Sequence, residues 1–462
     1  SFVPPEAGGA PLSAAMEPLV EALAPPADVL DEAQRAPTPA AALDLLGAAY
    51  REDTPQTAAL EAALRRQDTM AESLVAMERA ARPAHFFARE TRPLGALLGD
   101  RLTLSPTRVE QYYRCRFSYF LQYVLRIRPR RRAELSPLES GSLVHYILEH
   151  VMRRADAEFP RLAPEELARL AGEVTDQYVA ENMPAAGRRF AYLVERLKRG
   201  VTRLLAYLQA EQAQSLFHPA AFEQEIGTGE GAVPPLTLRT PDGRTVQVQG
   251  KIDRVDVMER EGRTYLRVVD YKTGNKAFNL DEVYCGLNTQ MLLYLFTLRS
   301  NAAQVYKNPV AAGVLYLAGD PVLKTGSRAE AAAAPVYKVD GLVLNDELVV
   351  RGMDRDATGM FVPFAFGKDG APRASAKLAS LEKLGNIEKH LDALVVEMAR
   401  GLYAGEIDAV PLRTAAHCPC DVCDYRPVCL HEDGRGETSV QAPKDVFETR
   451  ADACKAQGEG NI

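Results

Sequence analysis

An α/β fold with a mixed central sheet flanked by helices is predicted by three observations. Residues 251–257 and 264–272 are β-branched-rich runs on either side of the polar segment 259–263, the pattern of an antiparallel strand pair. Stretches on both sides, among them 192–212, repeat apolar residues with the 3.6-residue period of amphipathic helices. Turn-forming runs, Pro241-Asp242-Gly243 and Gly319-Asp320-Pro321, punctuate further strand candidates.

The 462 residues exceed one ordinary domain, and a hydrophobic content of 47% can build large cores. No run of about 18 apolar residues occurs, so no membrane span is expected. The first twenty residues lack a basic-then-apolar signal pattern, and the initial Ser points to a piece of a longer chain. Four of the seven cysteines crowd into 418–429, which suits a metal or cluster site better than a secreted disulfide framework. A cytoplasmic location is therefore expected. The net charge of −7 excludes a generally basic nucleic-acid glue. One dense positive run, RIRPRRR at 126–132, either neutralises phosphates or is a solvated loop, and its place between two helices favours the former.

Taken in order, residues 1–100 read as a helical segment rich in Ala, Leu, Glu and Arg. No GxxxxGK[ST] phosphate loop occurs anywhere, so no ATP motor is expected in this chain. Ser105-Pro106 starts a helix whose aromatic load (Tyr112, Tyr113, Phe117, Tyr119, Phe120, Tyr123) reads as core, with Cys115 in its middle. A helix follows the Gly141-Ser142 start and places His145 and Glu149 on one face. Residues 163–216 read as helical scaffold, and 222–227 as a first strand in which Glu225 is a further acidic candidate. A hairpin turns at 241–243, a helix begins near Asp281, and 309–318 is a strand. Residues 365–380 read as a mobile loop before a helix over 381–405, and the tail beyond His431 reads as polar and frayed.

Side chains alternate along a strand, so Asp270 and Lys272 project side by side while Arg267, Val269 and Tyr271 face the other way. With Asp253 on the neighbouring strand, these groups can hold a hard divalent cation and a water. The bland reading is a surface ion pair. Asp253 and Asp256 lie three apart and hence on opposite faces, so Asp256 is expected to orient Arg254 or a neighbour. Cys420-x2-Cys423-x5-Cys429 brings thiolates close enough to share one inorganic unit. By spacing alone, a Cys₄ or Cys₃His zinc site drawing on Cys418, His417 or His431 competes with an iron–sulfur cluster.

Asp253 followed by Asp270-Tyr271-Lys272 resembles the Asp…(Asp/Glu)-x-Lys signature of restriction-endonuclease-like nucleases. GKIDRVD, VVDYKTG and the later QMLLY together resemble the subgroup found in bacterial helicase–nuclease subunits, above all the B-subunit (AddB) family of ATP-dependent helicase/deoxyribonucleases. The likeness covers most of 101–430, with several motifs in the family's order. It implies a restriction-endonuclease-like core over 101–430, preceded by the end of a helicase-like region (1–100) and followed by a polar tail (431–462). Asp253, Asp270 and Lys272 would be catalytic, with Gln290 and Tyr294 beside them touching DNA or steadying the lysine. His145, in a Gly141-x-x-x-His145 pattern, would bind Mg²⁺ together with Asp253, Asp270 and the backbone carbonyl of Tyr271. Cys115, Cys420, Cys423 and Cys429 would hold a 4Fe-4S cluster that staples the two ends of the domain. The implied activity is DNA-end exonuclease action with an AddA-type helicase–nuclease partner in double-strand-break processing. Two other readings are a non-catalytic DNA-holding module and a stand-alone iron–sulfur exonuclease; the latter type is much shorter and lacks counterparts of 1–100 and the GLVLNDELV stretch.

Overall fold

The computed structural model describes residues 38–49, 54–81, 91–128, 137–182, 188–272, 277–321, 337–415, 417–429, 431, 436–444 and 446–448. The chain divides into two compact units, 1–84 and 85–462. In the first, helices α1 (Pro39–Ala48), α2 (Pro55–Arg65) and α3 (Ala71–Ala81) close over Leu46, Leu64 and Leu74. Thr38 and Thr54 cap α1 and α2, each followed by a proline at a position where a missing N–H costs little.

The second unit opens with α4 (Thr91–Leu98) and strand β1 (Arg101–Leu104), followed by α5 (Pro106–Arg114), capped by Ser105. The single helix expected around Cys115 is broken there. Cys115 is extended (φ −168°, ψ 116°) between α5 and α6 (Arg116–Tyr119), and a π turn over Phe120–Val124 follows. Most of the basic run at 126–132 lies outside the described residues. Helices α7 (Pro137–Ala155), α8 (Pro164–Asn182) and α9 (Arg188–Gln214) pack on one another.

The sheet strands are β2 (His218–Ile226), β5 (Gly250–Arg260), β6 (Arg263–Lys272), β7 (Pro309–Pro321), β8 (Tyr337–Leu344) and β9 (Leu378–Ala379), paired in that order. The β2–β5, β5–β6 and β7–β8 pairs are antiparallel, whereas β6–β7 and β8–β9 are parallel, so the sheet is mixed. A parallel neighbour requires a crossover. Helices α10 (Leu280–Tyr284) and α11 (Gln290–Asn301) provide it between β6 and β7, in place of one helix from Asp281. The hairpin expected at 241–243 joins β3 (Leu236–Arg239) to β4 (Thr245–Val248), with Gly243 at φ +86°, but it pairs with β1 in a separate three-stranded sheet.

Helix α11 packs on β6 and β7, and its residues 291–298 are all buried. After β8 come α12 (Glu347–Met353) and α13 (Leu381–Ala404), the latter capped by Ser380 and ended by Gly405 at φ +82°. Residues 365–380 are not a plain loop: they carry a Phe366–Pro372 bridge and form β9. The tail is partly packed as well. A parallel pair joins β10 (Leu412–Arg413) to β11 (Thr438–Ser439), and Phe447 is buried. Among the described residues no helix is long and apolar enough to cross a membrane.

Candidate functional site

The two faces of the β5–β6 ladder do different work. On one face Arg254, Asp256, Arg267 and Tyr271 are buried, joined by Glu211 from α9. Asp256 meets Arg254 at 2.8 Å and Arg267 at 2.5 Å, Glu211 meets Arg267 at 2.6 Å, and Arg254 donates to the Tyr271 hydroxyl at 2.8 Å. Burial works against the Asp256 charge, but the two guanidiniums outweigh it and hold its carboxyl below the ordinary range. The expected role of Asp256 as an orienter of Arg254 matches this geometry. Glu211 and Arg267 were not legible in the sequence, because a helix–strand ion pair has no local spacing.

The opposite face carries the polar groups expected to react. Asp253 in β5 and His145 in α7 approach each other, with His145 Nδ1 3.4 Å from Asp253 Oδ2. His145 Nε2 lies 2.9 Å from the Tyr271 carbonyl, and the Tyr271 amide donates toward Asp253 at 3.4 Å. Burial alone would lower the imidazole pKa; the Asp253 carboxylate, the Tyr271 carbonyl and Asp270 together raise it above its ordinary value. Asp270 is buried, and Lys272 at the strand end donates to it at 2.7 Å. His145, Asp253 and the Tyr271 carbonyl therefore converge, with the Asp270–Lys272 pair on the same strand end.

Tyr294 is buried on α11, where burial pushes its hydroxyl up to about 12 and the Lys251 backbone and Gln290 side chain bond to it. Gln290 sits at the first position of α11, and its amide donates to Glu110 at 3.1 Å. A Cβ on Gly250 would collide with the Tyr294 hydroxyl, so the start of β5 needs glycine to let this ring approach.

Glu223, rather than Glu225, is the β2 carboxylate brought to this place. It lies across the ladder from Asp253, between the pairs Phe222–Arg254 and Gln224–Ile252, and forms an ion pair with Lys251. His145, Glu223 and Asp253 offer ligand atoms all within 4.8 Å of one another. Like charges directly opposite each other are unfavourable without a cation. The set of carboxylates, a carbonyl and one imidazole fits a hard divalent ion. Glu223 escaped sequence reading because it has φ +50°, and β2 shifts register between Pro219 and Ala221, so alternation fails there.

A second constellation forms at the other end of the domain. Cys115, Cys420, Cys423 and Cys429 line one cavity of about 320 Å³. The break at Cys115 lets its sulfur accept the Phe117 and Ser118 amides, while burial pushes the thiol up to about 11. Burial raises Cys420 and Cys429 too, and neighbouring thiols add to it. Thiols crowded in this way ionise readily only beside metal charge. The donor set therefore fits the four-thiolate requirement of a 4Fe-4S cluster. His417 also lines this cavity, and Cys454 lies outside the described residues.

A mixed sheet whose central strands carry Asp253, Asp270 and Lys272 beside an α7 histidine defines a nuclease class. The chain belongs to the PD-(D/E)XK nuclease superfamily, whose family model matches residues 103–430. It is similar to proteins named as the B-subunit of the ATP-dependent helicase/deoxyribonuclease. Identity is 31% to that of Clostridium acetobutylicum, over 76% of this chain and 32% of the relative. It is 30% to that of Acetivibrio thermocellus (79% and 33%) and 33% to that of Desulforudis audaxviator (73% and 30%). The chain thus spans about a third of the length of these curated relatives.

Proposed function

We propose that this chain carries a divalent-metal-dependent deoxyribonuclease site of a helicase–nuclease complex acting on double-strand DNA ends in recombinational repair. The observation that carries the reading is the convergence of His145, Asp253 and the Tyr271 carbonyl beside the Asp270–Lys272 pair. His145, Asp253, Asp270 and the Tyr271 carbonyl would hold Mg²⁺, with Glu223 across from Asp253. A bound divalent ion supplies Lewis-acid charge that polarises the scissile phosphate and activates water for its hydrolysis. Lys272 places its ammonium where it can orient that water or meet negative charge developing on the phosphorus oxygens. Asp270 holds the lysine head in place at 2.7 Å, and the network behind β6 fixes the strand that presents both. Gln290 and Tyr294 bound this end of the ladder through α11 and contact DNA or steady the lysine.

The names of the relatives support a DNA substrate and a motor partner of AddA type, working in the cytoplasm. Cys115, Cys420, Cys423 and Cys429 would hold a 4Fe-4S cluster that joins the start of the domain to its end. The test is calorimetric titration with Mg²⁺ or Mn²⁺ alongside cleavage assays. Asp253→Ala and His145→Ala should each weaken metal binding about 10-fold or more and abolish cleavage. Cleavage at an undiminished rate in EDTA would contradict the reading.

A further inference from the structure

Cys418, which belongs to neither constellation, is fully buried. Its sulfur, that of Cys420 and a ring nitrogen of His431 all lie within 4.8 Å of one another. Glu437 closes the group: its Oε1 lies 3.2 Å from His431 Nε2 and 3.8 Å from Cys418 Sγ. A tetrahedral zinc with bonds of about 2.0–2.3 Å spaces its ligands by roughly 3.3–3.8 Å, so these separations are those of a zinc edge. All four groups are buried, with side-chain exposures of only 5% for His431 and 9% for Glu437.

The surroundings are built to hold the donors. The parallel β10–β11 pair sets Glu437 beside Arg413, whose Nε holds Oε2 at 2.7 Å and turns Oε1 toward the sulfurs. Asp421 ties down Cys418 from both sides: its amide donates to the Cys418 sulfur, and its carboxylate accepts the Cys418 amide at 3.1 Å. Such outer hydrogen bonds orient metal ligands. Two thiolates and an imidazole select zinc over hard cations.

We propose that Cys418, Cys420, His431 and Glu437 form a zinc site that shares the Cys420 sulfur with the cysteine set of the large cavity, making zinc and the iron–sulfur cluster alternative occupants of Cys420. Zinc would fasten the 3₁₀ turn Pro419–Val422 to the C-terminal segment when iron is absent. The site is distinct from the nuclease reading, and zinc is read in iron-free protein, so failure of the cluster reading and of this one are separable.

The experiment titrates the anaerobic, metal-free chain with Zn²⁺, and with Co²⁺ as a visible probe, and separately reconstitutes it with iron and sulfide. Wild type and Cys115→Ser should bind one equivalent, with the absorption bands of tetrahedral thiolate cobalt. Cys418→Ser and His431→Ala should lose about 10-fold or more in affinity, while His431→Cys, which supplies a third thiolate, restores binding and controls for misfolding. After reconstitution Cys418→Ser should hold wild-type iron and Cys115→Ser should not. Zinc binding undiminished in both Cys418→Ser and His431→Ala would overturn the assignment. So would loss of zinc in Cys115→Ser, or loss of iron in Cys418→Ser.

Discussion

Residue by residue, neighbours on β6 have opposite fates because a strand turns successive side chains to opposite faces. Asp270 and Lys272 point to the open strand end, whereas Arg267 is sealed against Glu211 and Asp256. The buried charges balance only as a set, and removing one partner strands the others. Arg267→Ala should therefore cost about 3–5 kcal/mol of stability, read as a lower urea midpoint. An unchanged midpoint would show that the network adds nothing. Asp253, Asp270 and Lys272 were legible because alternation holds along β5 and β6. Glu223 was not, since its positive φ breaks the alternation on which such reading depends.

Among elements, the departures from sequence expectation fall where tertiary contacts override local pattern. Nothing in the aromatic run 112–123 signals a break, yet Cys115 is extended there and its sulfur reaches the cysteines of 420–429 across the cavity. The β5–α11 contact rests on Gly250, which leaves room for Tyr294. Gly250→Ala should push Tyr294 aside and reduce DNA cleavage about 10-fold or more with the fold retained, measured by circular dichroism beside single-turnover rates; full activity would remove Tyr294 from the site. On α13, burial and then Glu388 raise the Asp392 carboxyl to about 6, against the opposing Arg299. The native state then binds this proton more tightly than the unfolded chain, whose carboxyl titrates near about 3.9. Its stabilising contribution is thus present below about pH 4 and lost as pH rises through about 6. Asp392→Asn should raise stability at pH 7 by about 1 kcal/mol or less, given solvent screening, and flatten the melting temperature between pH 4 and 6. A mutant that melts lower at pH 7 would refute this.

For the whole molecule, the mixed sheet of 218–379 and the cysteine cavity that joins 115 to 420–429 are both needed to explain the chain. The sheet core was legible from β-branched runs and turns, while the strand order β2-β5-β6-β7-β8-β9 and the separate β1-β4-β3 sheet were not, since pairing over long sequence separations leaves no local trace. A link that closes so long a loop stabilises the fold by restricting the unfolded chain. Cys115→Ser should accordingly lose iron and melt several degrees lower than iron-loaded wild type, roughly the effect of 1–2 kcal/mol; equal melting with equal iron would refute the staple. The central claim is that the end of the β5–β6 ladder hydrolyses DNA. Its most direct measurement is Mg²⁺-dependent cleavage of end-labelled single- and double-stranded DNA by the iron-loaded chain with its motor partner, wild type beside Lys272→Ala. The account predicts cleavage by wild type and a loss of about 100-fold or more in the mutant at similar DNA affinity; equal cleavage by both would contradict it.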